Sequence, residues 1–300
     1  MLFNRKTRNT KLELEKNKEK LSSQKEENIH QQSIIESQKL SVKRSNEILT
    51  QSIKYAQHIQ RAALSNIEEV KKLFPDSFLC YMPKDVVSGD FYYVTQIGDF
   101  NVFVIADCTG HGVPGGFLSI FGISAIKEIL NRPNNNFMPG KILDSMREFI
   151  KESLSNNGEE NFSTVDGMDM SVCAYNPKTH ELRFAGAYLS AYIWSNGEII
   201  RLKGDRMPVG RHVRETSDFN TQIVTLNNND MLYMMTDGIQ GQMGGLSGTK
   251  FMTKRLLQFL SENAILKCEE QKNNFEKIMK DWMFNTIQFD DMTLVGIRIN

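Results

Sequence analysis

The sequence is poor in cysteine and carries no net charge. Its four cysteines, Cys80, Cys108, Cys173 and Cys268, are scattered without a CxxC pair, which excludes a zinc-finger spacing and a disulfide framework and is typical of a reducing compartment. A formal net charge of +0 gives no electrostatic reason to expect nucleic acid or a membrane surface as a partner. We find no run of the roughly 18 apolar residues that a membrane span needs. We therefore expect a cytoplasmic protein that does not insert into membranes or bind nucleic acid.

Several common catalytic motifs are also missing. The sequence contains no GxxxxGK[ST] phosphate loop, no HExxH zinc helix and no GxSxG nucleophile elbow. These absences remove P-loop nucleotide hydrolases, the commonest zinc proteases and the α/β-hydrolases from consideration.

Residues 1–65 contain neither glycine nor proline and are rich in Lys, Glu, Gln, Asn and Ser. One position repeats every seven residues and is mostly apolar, from Leu14 and Leu21 through Ile35, Val42 and Leu49. Such a repeat predicts a left-handed coiled coil. Its second seam is polar, so the alternative is a single solvated helix; we favour a parallel homodimer. From residue 52 the helix becomes more apolar, and we expect it to dock on the domain that follows, residues 66–300.

Residues 66–300 alternate between strand and helix patterns. Two successive helices in a strand-rich region predict a helical layer lying on a sheet. The predicted helices cover about 113–130, 140–154, 250–262 and 268–282. The predicted strands cover about 78–81, 91–94, 101–106, 168–175, 181–187, 191–195, 198–202, 222–226, 231–236 and 292–299.

Four carboxylates stand at the ends of these strands. Asp107 ends the apolar run 102–106 ahead of a glycine-rich turn, and Asp90, Asp237 and Asp290 occupy comparable positions. Asp107 taken alone is better interpreted as a helix cap or a turn residue, and the alternative for Asp90 is a bulge or a turn residue. If a sandwich of sheets brings the four together, they need cations to offset their repulsion. Oxygen ligands without histidine or cysteine select hard cations such as Mg²⁺ or Mn²⁺, and two such ions can activate a water against a phosphoryl group.

Five blocks, in this order, resemble those of the metal-dependent protein serine/threonine phosphatases of the PPM, or protein phosphatase 2C-like, type. They are SGDFYYV, ADCTGHGVPGG, DGMDMSVCAYNP, LYMMTDGI and DDMTLVGI, and they look most like the bacterial branch typified by the stage II sporulation protein E phosphatase domain. The resemblance covers residues 54–300. It implies an α+β fold, a four-layer α-β-β-α sandwich of two antiparallel sheets, and two Mn²⁺ or Mg²⁺ ions in a cleft between the sheets.

The resemblance also implies roles for individual residues. Asp107 resembles the acid that bridges both metals, and the backbone carbonyl of Cys108 resembles one that completes a metal shell. Asp90 and Asp237 resemble the ligands of the Gly-Asp and Thr-Asp-Gly motifs. Asp290 resembles the first acid of the final pair.

The roles of several other residues stay open, three within these blocks and two arginines that flank residues 207–210. Asp291 either supports the site from behind or caps the loop, and Asp169 is either an accessory metal ligand or structural. His111 is better interpreted as a loop hydrogen-bonding residue than as a general acid. Arg206 and Arg211 are either substrate contacts or solvated arginines.

The resemblance thus predicts a phosphatase that acts on phosphoserine or phosphothreonine of a signalling partner, such as an anti-sigma factor antagonist, under regulation by the N-terminal helix. The alternative is a non-catalytic scaffold that dimerises through the coiled coil. A metal phosphodiesterase ranks last, since nothing basic or aromatic lines up for base stacking.

Overall fold

The computed structural model describes residues 2–132, 137–155, 167–211 and 217–300, and the side chains of 2–10, 154 and 155 are not described. The chain divides into two compact units, Met1–Ile53 and Lys54–Asn300. The predicted domain boundary at residue 65 stays a prediction. The loops predicted at 131–139 and 156–163, after the predicted helices 113–130 and 140–154, lie partly or wholly outside the described residues.

Seven helices and thirteen strands are found in the described ranges. The helices are α1 Leu2–Ala63, α2 Ile67–Leu73, α3 Gly112–Leu130, α4 Pro139–Ser155, α5 Gly238–Gly241, α6 Met252–Asn263 and α7 Cys268–Met283. The strands are β1 Ser77–Met82, β2 Asp90–Ile97, β3 Phe100–Cys108, β4 Gly167–Tyr175, β5 Glu181–Ala187, β6 Ala191–Ser195, β7 Glu198–Leu202, β8 Val209–Gly210, β9 Gln222–Thr225, β10 Met231–Met235, β11 Met243–Gly244, β12 Thr249–Lys250 and β13 Met292–Arg298.

Unit Met1–Ile53 contains most of helix α1, which is uninterrupted because residues 2–63 include neither glycine nor proline. The apolar side chains of its seven-residue repeat are exposed, at 68% for Leu21 and 59% for Val42. An exposed apolar seam of this kind is compatible with a partner helix, and the homodimer stays a prediction.

Two antiparallel sheets form the centre of unit Lys54–Asn300. The β3 sheet has the strand order β2-β3-β4-β5-β9, with β8 paired to β4, and the β10 sheet has the order β1-β13-β10-β6-β7. Every pairing between these strands is antiparallel. The predicted Asn196-Gly197 hairpin joins β6 to β7, with both residues at positive φ as a tight hairpin turn requires.

Three buried clusters fill the three gaps between four layers. Residues alternate along β3, so that Val104 packs towards α3 and α4 while Phe103 and Ile105 face the other sheet. Along β10, Leu232 faces the β3 sheet, whereas Tyr233 packs with α6 and α7. These central strands are apolar on both faces because both faces are covered. The predicted α-β-β-α sandwich is confirmed.

Helix α3 is more apolar than we expected. By length and mean hydropathy it could cross a membrane, but half of its most apolar window is buried inside the protein. A core helix meets the same criteria, and Ile123 and Ile126 of α3 belong to the cluster that covers the β3 sheet.

Candidate active site

Three acids lie side by side at one end of the β3 sheet. Asp107 at the end of β3 pairs across the ladder with Asp90 of β2 on one side and with Asp169 of β4 on the other. Directly opposed residues point to the same face of a sheet and have Cβ atoms about 5 Å apart. The alternation along β3 directs Asp107 to the same side as Phe103 and Ile105, towards the β10 sheet.

The β10 sheet brings two more acids to the same end. Asp237 follows β10, and Asp290 precedes β13, the neighbouring strand. Gly238 lies so close to this second acid that a Cβ there would be 3.1 Å from the Cβ of Asp290 and 2.0 Å from the carbonyl oxygen of Asp291. Only glycine allows the two turns to approach in this way. We call Asp90, Asp107, Asp169, Asp237 and Asp290 the carboxylate cluster.

Two buried threonines join the sheets through Asp90. Thr236 and Thr293 donate hydroxyl hydrogen bonds of 2.7 and 2.6 Å to Oδ2 of Asp90. The other carboxylate oxygen, Oδ1, is buried and has no hydrogen-bond partner among the described residues. Asp90 is therefore held in one orientation with one oxygen left to bind something else.

The turns that carry Asp90 and Asp107 are packed against each other. The amide of Cys108 donates to the carbonyl of Gly89 at 3.3 Å. A Cβ at Gly89 would lie 3.2 Å from the Cys108 carbonyl oxygen and 2.7 Å from that of Gly110. The Cys108 carbonyl therefore lies at the same end of the sheets as the carboxylate cluster, while its thiol is buried in the core.

Asp291 fastens a loop of the site. Its carboxylate accepts backbone hydrogen bonds of 2.7 Å each from Lys84 and Gly89. The sequence left two roles open for Asp291, support of the site or capping of the loop, and these hydrogen bonds support the capping role.

Burial and repulsion between acids raise the pKa values of three members of the carboxylate cluster, Asp90, Asp107 and Asp169. Burial, followed by the negative charges of Asp90, Asp237 and Asp290, raises the pKa of Asp107 well above its usual range. Burial also raises the pKa of Asp90, although its two threonine hydrogen bonds act in the opposite direction. The pKa of Asp169 rises to about 7, through burial and then the charge of Asp237. A bound cation would remove this repulsion.

The donor set fits a hard divalent cation. It consists of carboxylate oxygens and a backbone carbonyl, and the buried Oδ1 of Asp90 lacks a partner. Across the part of the chain that the structure describes, no three acid, histidine or cysteine side chains already enclose an ion position. The carboxylates therefore converge on one end of the sandwich, but they are not close enough to one another to coordinate an ion in this arrangement.

The remaining residues singled out from sequence lie outside the carboxylate cluster. His111 is exposed, and its Nδ1 lies 3.0 Å from Oδ2 of Asp85, a contact that links two loops. This contact supports the loop hydrogen-bonding interpretation. Arg206 and Arg211 are exposed on either side of β8, and their role in substrate binding stays a prediction.

Sequence reasoning missed Thr236 and Thr293. A signal was present, because Thr236 directly precedes Asp237 and Thr293 follows Asp291 by two positions. The carboxylate to which these threonines donate is determined by the pairing of β10 with β13 and by their position beside β2. The sequence alone does not show this arrangement.

Comparison with known proteins gives one family and many similar structures. The family model described as stage II sporulation protein E matches residues 100–300, about two thirds of the chain. The SiaA-PP2C domain of Pseudomonas aeruginosa is similar in structure, with a TM-score of 0.76 and 29% sequence identity over 85% of this chain and 99% of that chain. The comparison with curated proteins gives no match.

Two further structures share the fold at lower identity. A Bacillus subtilis SpoIIE structure with its PP2C phosphatase domain and a fragment of its regulatory domain has a TM-score of 0.58 and 19% identity, over 75% of this chain and 61% of that chain. RsbX in complex with magnesium has a TM-score of 0.51 and 14% identity, over 75% of this chain and 94% of that chain.

Proposed function

This chain belongs to the stage II sporulation protein E family, and we propose that it is a metal-dependent protein phosphatase that hydrolyses phosphoserine or phosphothreonine on a partner protein. The observation that carries the proposal is the convergence of acids from both sheets on one end of the sandwich, around a buried Asp90 oxygen that has no hydrogen-bond partner in the described ranges. The magnesium reported for RsbX, a protein of the same fold, also supports it.

In this proposal Asp90, Asp107, Asp237, Asp290 and the Cys108 carbonyl hold two Mn²⁺ or Mg²⁺ ions. When bound, such ions lower the pKa of a coordinated water and polarise a phosphoryl oxygen. The protein's own contribution is positioning. The two threonine hydroxyls fix Asp90, the backbone approach at Gly89 fixes the Cys108 carbonyl, and Asp291 holds the loop above them.

The test is hydrolysis by the full chain of p-nitrophenyl phosphate and of a phosphothreonine peptide. We expect phosphate release that requires Mn²⁺ or Mg²⁺ and stops with EDTA. The alternative function, a non-catalytic scaffold that dimerises through the exposed α1 seam, predicts no release with either ion. Release that is insensitive to EDTA would contradict the metal-dependent mechanism.

We propose a phosphorylated signalling protein in the cytoplasm as the substrate, such as an anti-sigma factor antagonist. The family membership supports this substrate class. The exposed repeat of α1 supports a homodimer, and analytical ultracentrifugation of the full chain against a chain beginning at Lys54 tests it. A monomeric full chain would contradict the dimer.

We also propose that helix α1 regulates the site through Gln60. This buried side chain donates to the Ser88 carbonyl at 2.6 Å and to the Ser119 hydroxyl at 2.7 Å, and it accepts from the Ser88 amide at 3.1 Å. Ser88 lies two residues before Asp90, and its hydroxyl accepts from the Asp90 amide at 3.1 Å. A shift of the helix at this point would move the turn that carries a proposed metal ligand.

Replacing Gln60 with alanine tests the connection. We expect the Mn²⁺ concentration for half-maximal activity to rise by about tenfold, the size typical of groups that orient metal ligands. Gln51→Ala, an exposed amide on the same helix, is the matched control and should leave it unchanged. If the chain beginning at Lys54 has the same activity and metal requirement as the full chain, residues 1–53 do not regulate the enzyme.

A further inference from the structure

Beside Asp237 lies an open cleft of about 400 Å³ that carries two cationic side chains. Thr236 and Asp237 form one wall, Arg201 and Lys250 contribute the positive charge, and Tyr188 lies on the wall with them. We call it the Arg201 cleft. Because Asp237 also belongs to the carboxylate cluster, the cleft opens directly beside the proposed active site.

Arg201 is held in position by its neighbours. Its Nε and Nη2 atoms donate to the Ser190 hydroxyl at 3.2 and 3.0 Å, and its guanidinium lies over the Tyr192 ring at 5.8 Å from the centroid. Ser190 is itself buried and also accepts from the Gly204 amide at 3.3 Å. A guanidinium fixed in this way loses less conformational entropy when it binds an anion than a freely rotating one does.

The loop that supplies Ser190 is tightly constrained. Tyr188 adopts a φ of +58°, a left-handed conformation that is uncommon and strained for a bulky residue. A Cβ at Gly186 or Gly204 would lie 2.0 or 2.3 Å from the Leu189 carbonyl oxygen. The strained turn therefore depends on glycine at both positions. It positions the Ser190 hydroxyl, which accepts the hydrogen bonds from Arg201.

The cations of the cleft form no ion pair with a carboxylate of the described residues. Within the described ranges, Arg201 and Lys250 make no ion pair, whereas Arg183 pairs with Glu181 at 2.6 Å and Arg298 with Asp76 at 3.1 Å. An ordered arginine beside a lysine, both without an acid partner and both in a concave surface, is suited to an anion from another molecule.

We propose that the Arg201 cleft binds a carboxylate side chain of the substrate protein, close in sequence to its phosphorylated residue. This proposal rests on the phosphatase function proposed above and names a specificity site for it. The carboxylate cluster repels an acidic substrate segment, and the Arg201 cleft places attractive charge where such a segment would enter. The substrate is then a segment with aspartate or glutamate near the phosphoserine or phosphothreonine.

The test compares two phosphothreonine peptides, one with aspartates on both sides of the phosphothreonine and one with asparagines in their place. The full chain should prefer the aspartate peptide, through a lower KM. In the double variant Arg201→Gln/Lys250→Gln we expect the KM for the aspartate peptide to rise about tenfold, as for the loss of one charged hydrogen bond. The KM for the asparagine peptide, kcat for both peptides and p-nitrophenyl phosphate hydrolysis should stay within about twofold.

The matched control is Lys203→Gln/Lys254→Gln, which removes two exposed cations that do not line the cleft. It should keep the preference for aspartate. If the control loses the preference to the same extent, or if Arg201→Gln/Lys250→Gln retains it, the cleft is not the specificity site.

A binding measurement separates this proposal from the enzymatic one. Fluorescence anisotropy of both peptides, with EDTA present, reports affinity without hydrolysis. Tighter binding of the aspartate peptide that disappears in Arg201→Gln/Lys250→Gln supports the cleft even if the chain hydrolyses nothing. Equal binding of the two peptides by the unmodified chain overturns it even if hydrolysis is normal.

Discussion

The carboxylate cluster and the Arg201 cleft share Asp237 but hold their charges in opposite ways. The cluster brings several acids close together, and burial and repulsion raise the pKa values of Asp90 and Asp107. The cleft exposes to solvent two cations that form no ion pair with any described residue. Buried like charges call for a tightly bound counter-ion, whereas solvated cations support weaker, salt-sensitive recognition. The difference separates a proposed metal site from a proposed specificity site.

The largest effect is expected from Asp107→Asn, which removes the charge of the central acid in the carboxylate cluster. Asp107 is the central acid of the row and interacts electrostatically with four others. We expect kcat/KM with Mn²⁺ to fall by more than about 100-fold, since even groups behind metal ligands cost about 10–100-fold. Rates of p-nitrophenyl phosphate hydrolysis measure it.

Asp85→Asn is the control for this substitution. Asp85 is an exposed acid on a neighbouring loop, and its carboxylate contacts the exposed His111. The control variant should keep nearly full activity. Comparable losses in the two variants would mean that the carboxylate cluster has no special part in the reaction.

A smaller effect is expected from the hydroxyls that orient Asp90. Thr236→Val and Thr293→Val keep the side-chain shape but each remove a hydrogen bond to Oδ2 of Asp90. We expect the Mn²⁺ concentration for half-maximal activity to rise about 10-fold or more in each variant. Thr225→Val, on the exposed edge strand β9, should leave it unchanged. An unaltered metal requirement in both buried variants would contradict the positioning role.

The smallest effect concerns stability against pH without metal. Burial raises the pKa values of Asp90, Asp107 and Asp169 above the ordinary value of 3.8. Folded protein then retains protons that the unfolded chain releases, so this contribution to stability is complete below about pH 4 and is lost as pH rises. For Asp169 the loss extends to about pH 7, and for the other two it extends higher.

Thermal unfolding in EDTA measures this loss. We expect Tm to fall by several degrees between about pH 6 and about pH 8.5, since 1 kcal/mol shifts Tm by about 2–4 °C in a domain of this size. The fall should be smaller in Asp107→Asn, and added Mn²⁺ should raise Tm more at the higher pH. A Tm that is equally pH-dependent in both proteins would show that the carboxylate cluster is not its cause.

Local patterns in the sequence predicted most of the fold. The apolar runs of β3 and β10, the Asn196-Gly197 turn and the helices after them are encoded by neighbouring residues, and these elements lie within a few residues of their predicted bounds. The short elements β8, β11, β12 and α5 were missed. They span two to four residues, and such lengths are too short for a periodic signal.

Four of the five acids of the carboxylate cluster were predicted as candidate ligands, and the role of Asp169 was left open. The four were found because each stands at or beside one end of an apolar strand, a pattern that is visible in the sequence. That Thr236 and Thr293 reach Asp90 depends on contacts between residues far apart in the chain. Such contacts arise from tertiary packing, and a single sequence does not specify them.

Isothermal titration of the metal-free chain with Mn²⁺ measures the proposed ions without depending on a substrate. We expect two ions to bind per chain, with proton release that is present at neutral pH and diminishes as the pH rises through the raised pKa values of the cluster. Asp107→Asn should lose most of this binding, while Asp85→Asn should keep it. Absence of Mn²⁺ and Mg²⁺ binding by the unmodified chain, or undiminished binding by Asp107→Asn, would contradict the proposed metal site.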